Sequence, residues 1–370
     1  MAELVALDLP GGTAFVDALR RAWDDGNAVL PVDRRLPASA RARLLERMSP
    51  SVLVDELGTH RLGGTPVEPG DALVMATSGS TGEPKGVVLT HDALRAASTA
   101  SSTRLGTDAS DTWLACLPLS HVGGLSVIVR ALHTESGLVV HDGFDAAAAE
   151  NAARRGATAV SLVATALARI DPSLFRIILV GGGRPPASVP AQAHVTYGMT
   201  ETGGGIVYDG RALDGAEVAV VDGEVVVRGP MLLRCYRDGT DPRTADGWLR
   251  TGDLGRLLPD GRLHVDGRAG DLIITGGENV WPEAVEAVIA DHPSVREVAV
   301  AGLDDPEWGQ RVAAWIVADG TPPTLAELRS RVAEHLPAFC APKEMHIVDR
   351  LPRTALGKIR RHHLRDLSAN

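Results

Sequence analysis

Residues 71–91 read Asp71-Ala-Leu-Val-Met-Ala-Thr-Ser-Gly-Ser-Thr-Gly-Glu-Pro-Lys-Gly-Val-Val-Leu-Thr-His91. Asp71–Ala76 has the apolar content of a buried strand, and Val87–His91 leads into a helix at about Asp92. Between them lie Gly79, Gly82 and Gly86, the hydroxyls of Thr77, Ser78, Ser80 and Thr81, and then Lys85. Glycines let backbone N–H groups approach an anion closely. A glycine- and hydroxyl-rich loop after a strand is a phosphate cradle. It is not a Walker A loop, because no Gly-x-x-x-x-Gly-Lys-[Ser/Thr] spacing fits it.

Outward from this loop, short apolar runs alternate with helical stretches: Thr112–Leu117, Gly137–His141, Ala159–Val163 and Arg176–Val180. The alternation predicts an α/β core. After about Asp209 the character becomes β-rich. Glu217–Val221 and Glu224–Arg228 flank Asp222-Gly223, a strong hairpin signal, and Asp260-Gly261 repeats it. After Gly267, Pro282 suits a first helical turn and Thr324-x-x-Glu327 is a capping box. The expected organisation is a large N-terminal domain over 1–266, with α/β layers and a β-rich subdomain, and a small α+β domain over 267–370.

The chain has 370 residues, 44% of them apolar, and a formal charge of −10 from 37 Lys+Arg against 47 Asp+Glu. This is a globular composition, and the acidic balance disfavours nucleic acid or an anionic membrane as the main partner. Cys116, Cys235 and Cys340 are far apart and form no Cys-x-x-Cys pair. A zinc site or disulfide framework is therefore unsupported, and a reduced cytoplasm is the expected compartment. The N-terminus shows no signal peptide, and no apolar run is long enough for a transmembrane helix.

Five further segments carry chemistry. Leu117–Leu125 places Ser120 and His121 after a strand and then a turn. Gly181-Gly182-Gly183 follows a buried strand, where a flat ligand could lie against the backbone. Tyr197-Gly-Met-Thr200-Glu201 offers a ring, a hydroxyl and a carboxylate. Thr251-Gly-Asp253 offers a carboxylate for vicinal hydroxyls, and Leu351–Lys358 puts a lysine after a turn. Singly, each has a plainer explanation: a structural histidine, a core tyrosine, a turn aspartate, a solvated basic face.

Together and in this order, from about Asp71 to Arg361, they resemble the adenylate-forming (AMP-binding) superfamily of acyl- and aryl-CoA synthetases, adenylation domains and luciferases. Within it the chain looks most like the o-succinylbenzoate–CoA ligases of menaquinone biosynthesis in their short actinobacterial form. Tyr197–Gly210 and Asp305–Val312 suggest this, as does the short region before the phosphate loop, which implies a trimmed N-terminal subdomain. The resemblance implies an AMP-forming acid–thiol ligase using ATP, Mg²⁺ and coenzyme A. Thr77–Gly86, with Lys85, would hold the β- and γ-phosphates. Tyr197 would stack on adenine, lined also by Gly181–Gly183. Thr200 would contact the α-phosphate, and Glu201 would hold Mg²⁺. Asp253 and Arg268 would bind the ribose, and His121 would sit at the acyl pocket with Ser161, Thr165 and Gly203–Gly205 nearby. Lys358 would bridge the carboxylate and α-phosphate. Gly276 and Gly277 would line the pantetheine path once the small domain, mobile in this family, rotates. Many relatives carry Asp or Lys at the hinge, where this chain has Gly270. Another aryl or small acyl carboxylate stays open as the substrate, and a carrier protein in place of coenzyme A as the acceptor. The assembly is also open, a homodimer being one guess.

Overall fold

The computed structural model describes residues 1–370 except 79–83, 184, 185, 187, 354–358, 369 and 370. The chain divides into two compact units. One comprises Met1–Ala219, Val226–Arg250 and Leu258–Leu263; the other comprises Val220–Val225, Thr251–Leu257 and His264–Asn370.

The first unit carries two seven-stranded sheets. One runs in the order Cys235–Tyr236, Pro84–Thr90, Asp71–Ser78, Ala28–Pro31, Leu4–Asp8, Val52–Asp55, Gly58–Arg61. Its centre is parallel and both sides end antiparallel. The other places Ala193–Met199, Ile177–Val180, Ala159–Leu162, Thr112–Ala115 and Gly137–Val140 side by side and parallel. Gly204–Tyr208 then pairs antiparallel with Ala193–Met199. Leu4, Leu30, Val74, Trp113, Val160 and Ile178 are fully buried, as strands covered on both faces require. The helix predicted near Asp92 spans His91–Leu105, and the Thr90 hydroxyl caps it by accepting from the Ala93 N–H at 3.1 Å.

The hairpin expected at Asp222-Gly223 is present. Both residues have positive φ, 52° and 80°, as a two-residue type I′ turn demands. It begins a four-stranded sheet of Glu217–Val221, Glu224–Arg228, Leu249–Leu257 and Leu263–Arg268.

The second unit holds a five-stranded sheet centred on Gly309–Ala318 and Val295–Asp305, with helices Pro282–Ala290 and Leu325–His335. Ile273, Val285, Ile289, Val300, Ile316, Leu328 and Val332 form its own core. Pro282 occupies the first helical turn, and Thr324 and Glu327 close the capping box. All three cysteines are free and buried, and burial pushes the Cys116 thiol up to about 12.

Candidate active site

The strands Asp71–Ser78 and Pro84–Thr90, on either side of the glycine- and hydroxyl-rich stretch, pair antiparallel. Thr77 lies opposite Lys85, and Ser78 opposite Pro84. Gly79, Ser80, Thr81 and Gly82 lie outside the described residues. Lys85 is exposed, and its ammonium stands 5.0 Å from the centroid of the Tyr236 ring. Tyr236 belongs to the short strand that completes the sheet, opposite Val87. Its hydroxyl donates to Glu201 Oε1 at 3.1 Å. Burial, and then the neighbouring Glu201 charge, hold this phenol above its ordinary pKa.

Tyr197 lies near the end of the Ala193–Met199 strand, where the pairing shifts between Tyr197 and Gly198. A Cβ at Gly198 would stand 2.0 Å from the Gly204 carbonyl, so only glycine permits this approach. Thr200 and Glu201 follow on one short turn of 3-10 helix. Buried Thr202 anchors that turn: its hydroxyl accepts from the Met199 N–H at 3.0 Å and lies 2.6 Å from the Gly204 carbonyl. Gly181–Gly183 leaves the end of the adjacent parallel strand Ile177–Val180. The structure therefore brings Lys85 and Glu201 to the same phenol, and sets Gly181 and Tyr197 at the ends of neighbouring strands.

His121 departs from the sequence expectation. It is followed by no turn; it is the N-cap of the helix Val122–Thr134. The Gly-Gly pair belongs to the helix start, where a Cβ at Gly124 would stand 2.5 Å from the Pro118 carbonyl. His121 Nε2 lies 3.7 Å from Asp33 Oδ2, and Asp33 takes a two-pronged contact from Arg35 at 2.8 Å. Burial works against the Asp33 charge, but the Arg35 hydrogen bonds win and its pKa is lowered.

Thr251-Gly-Asp253 is no turn either; it lies inside the Leu249–Leu257 strand. Asp253 is buried and pairs with Arg268 Nε at 2.8 Å, while Arg268 Nη1 donates to the Thr251 carbonyl at 2.8 Å. Gly276 and Gly277 form the turn between Ile273–Thr275 and Glu278–Val280, with φ of 61° and 84°. A Cβ at Gly276 would stand 2.6 Å from the Trp308 ring. Lys358 lies outside the described residues. Three positions later Arg361 is tightly held: its Nη2 donates to both Glu286 oxygens at 2.9 Å, and Glu283 and Asp271 stand at 2.9 and 3.3 Å.

Sequence reasoning missed Tyr236, Arg361 and a third residue, Arg130. Arg130 is 5% exposed on the Val122–Thr134 helix. Its guanidinium lies 4.7 Å above the Trp113 ring, its Nε donates to Ser101 Oγ at 2.9 Å, and its Nη1 is buried with no hydrogen-bond partner among the described residues. A small void lined by Ser98, Ser126 and Gly203–Gly205 adjoins it. The signal available was an arginine inside an apolar helical run, which needs an anionic or hydrogen-bonding destination.

A divalent ion fits Glu201 as a single-carboxylate contact. Among the described residues no cluster of three or more His, Cys, Asp or Glu could hold a metal. That donor set suits Mg²⁺ bound mainly by nucleotide phosphates and water. No described helix is long and apolar enough to cross a membrane.

Residues 63–237 match the AMP-binding enzyme family, and residues 284–358 match the AMP-binding enzyme C-terminal domain. The chain is 43% identical over 333 residues to a probable 2-succinylbenzoate–CoA ligase of Mycobacterium tuberculosis strain H37Rv, covering 82% of this chain and 86% of that one. It is 36% identical over 335 residues to a 2-succinylbenzoate–CoA ligase of Bacillus cereus, covering 80% and 69%. Among solved structures, the o-succinylbenzoate CoA synthetase of Bacillus subtilis in complex with its acyl-adenylate intermediate superposes with a TM-score of 0.88 at 29% identity, over 98% of this chain and 88% of that one. The chain is thus a member of the AMP-binding enzymes, in the 2-succinylbenzoate–CoA ligase family.

Proposed function

We propose that this chain is an ATP-dependent 2-succinylbenzoate–CoA ligase. The observation that carries the reading is its 43% identity, over most of both chains, to a relative named for that reaction. In the first step a substrate carboxylate oxygen attacks the α-phosphorus of ATP. The bond to pyrophosphate breaks and an acyl-adenylate forms. In the second, the coenzyme A thiol sulfur attacks the acyl carbon, AMP leaves and the thiol proton passes to solvent. The first step brings anion to anion, so positive charge must stand where negative charge develops.

Lys85 and the Thr77–Gly86 loop serve the departing phosphates, Thr200 the α-phosphate, and Lys358 the attacking carboxylate. Glu201 holds Mg²⁺, which when bound neutralises phosphate charge. Tyr197 and Gly181–Gly183 take the adenine. Asp253 accepts from the ribose hydroxyls, and Arg268 fixes that carboxylate. His121 and its Asp33 neighbour border the acyl pocket, and Gly276-Gly277 serves the thiol step. We place the boundary between domains 1–266 and 267–370 within Asp266–Gly270, and the enzyme in the cytoplasm.

The substrate carries two carboxylates and only one is activated. Arg130 supports recognition of the other, since its Nη1 is buried without a hydrogen-bond partner among the described residues and the residue lines the void beside Gly203–Gly205. Incubation with ATP, 2-succinylbenzoate and coenzyme A should yield AMP, pyrophosphate and the thioester; absence of thioester sinks the reading. Arg130→Gln should raise KM for 2-succinylbenzoate by about tenfold or more, the worth of a charge-assisted hydrogen bond, with KM for ATP unmoved.

A further inference from the structure

Lys85 and Glu201 present a difficulty that the reaction itself creates. One is a cation wanted by phosphate and the other an anion wanted by metal. Two such flexible side chains close together would pair and cancel. Among the described residues no ion pair joins them; instead each meets a different part of Tyr236. The hydroxyl donates to Glu201 Oε1 at 3.1 Å, which leaves Oε2 outside that bond. The ring face receives the Lys85 ammonium at 5.0 Å, a cation–π contact that orients the charge without neutralising it.

Tyr236 is itself fixed from both sides. Arg234 donates to both oxygens of buried Asp71, at 2.8 and 2.9 Å, and pairs with Glu68 at 2.9 Å. Arg237 donates through Nε to the Met48 carbonyl at 3.1 Å and through Nη1 to the Pro66 carbonyl at 2.9 Å. Its backbone N–H donates to the Gly86 carbonyl at 2.7 Å, directly beside Lys85. A phenol held this firmly, at the foot of the phosphate loop, is a template and not a passenger.

We propose that Tyr236 is a positioning residue for adenylation, setting the Glu201 carboxylate for Mg²⁺ through its hydroxyl and the Lys85 ammonium for phosphate through its ring. The inference rests on the proposed ATP-dependent ligase reading.

The test is equilibrium binding of ATP to the full chain by calorimetry, with and without Mg²⁺, for wild type, Tyr236→Phe and Tyr236→Leu. Tyr236→Phe keeps the ring, so Mg²⁺-free affinity should stay within about twofold of wild type. The gain in affinity on adding Mg²⁺ should fall about tenfold, as expected for losing a hydrogen bond to a charged group. Tyr236→Leu should also weaken Mg²⁺-free binding by about threefold through loss of the cation–π platform. A purely structural tyrosine would leave the ratio of the two affinities untouched. An unchanged Mg²⁺ gain in Tyr236→Phe overturns the proposal even if Tyr236→Leu folds poorly. A wild-type protein with no Mg²⁺-dependent ATP binding overturns the ligase reading together with it.

Discussion

Glu201 and Lys85 meet through a phenol, at 3.1 Å on one side and 5.0 Å on the other, whereas Asp253 and Arg268 meet directly at 2.8 Å. The second unit, which holds that direct pair, uses the same style at Arg361, which gathers Glu286, Glu283 and Asp271 around one guanidinium. Under the proposed roles, the difference follows what each charge must do. Groups that meet phosphate and metal must stay available for them. A carboxylate that only has to present an oxygen to hydroxyls can be locked by a salt bridge, and an arginine that only fastens chain to chain can be saturated. Direct pairs should therefore fail by leaving an uncompensated charge, and the phenol-spaced pair by losing alignment.

The largest effect should come from Arg361→Gln. It leaves Glu286 buried beside Glu283 with no cation, a loss of about 3–5 kcal/mol. Denaturant unfolding of the full chain measures it, and a loss below about 1 kcal/mol would break the comparison. Glu286→Gln should cost less, because the amide oxygen can still accept from the Val300 N–H, now at 2.8 Å from Glu286 Oε1. Burial raises the Glu286 pKa above its unfolded 4.5, against the lowering by Arg361. A raised folded value gives stability that is full below 4.5 and lost as pH rises through the folded pKa. The stability gap between wild type and Glu286→Gln should therefore narrow as pH rises from 4.5.

Next in size is Asp253→Asn, which removes the buried negative charge and leaves Arg268 facing a neutral amide. A fall of about 10² in kcat/KM for ATP is expected, with the substrate acid's KM little changed. Lys85→Ala should do less. Its ammonium is exposed and screened, and a loss of about tenfold in KM for ATP, shrinking at high salt, is the expected result from steady-state kinetics. Equal, salt-independent losses at positions 85 and 253 would erase the distinction between the two styles.

What the sequence made legible was local. The Asp222-Gly223 turn, Pro282 at a helix start and the Thr324–Glu327 box each announce themselves within a few residues, because backbone geometry dictates them. Asp253, Glu201 and Lys358 were placed by their order in a family pattern. Tyr236, Arg361 and Arg130 were not found, because their meaning lies in partners distant along the chain: Glu201 is 35 positions from Tyr236, Glu286 75 from Arg361, and Ser101 29 from Arg130. The misjudged surroundings of His121 have the same origin, and the plainer turn explanation for Asp253 fails for the same reason. Glycines at 123, 124 and 252 signalled turns, but tertiary contacts made them a helix start and a strand interior.

The smallest expected effect is at Gly270, and it asks whether the second unit's tight fastening extends to the segment joining Arg268 and Asp271. Gly270 sits in the 3-10 turn Ala269–Asp271, between Arg268 two positions before it and Asp271 just after it, whose side chains are both paired. Its φ lies outside the left-handed range, and a Cβ there would meet nothing within 4 Å. In this backbone state the glycine is therefore unnecessary. Gly270→Ala should raise stability by about 0.4–1 kcal/mol, because alanine restricts the unfolded chain more than the folded one. Thermal unfolding reads that gain, and a loss would mean that the turn is strained in a way its φ does not record. Half-reaction kinetics then sharpen the point. If glycine is there to let the hinge adopt a second backbone state, pyrophosphate exchange and thioester formation from preformed acyl-adenylate should respond unequally to Gly270→Ala, whereas a plain surface turn leaves both alone.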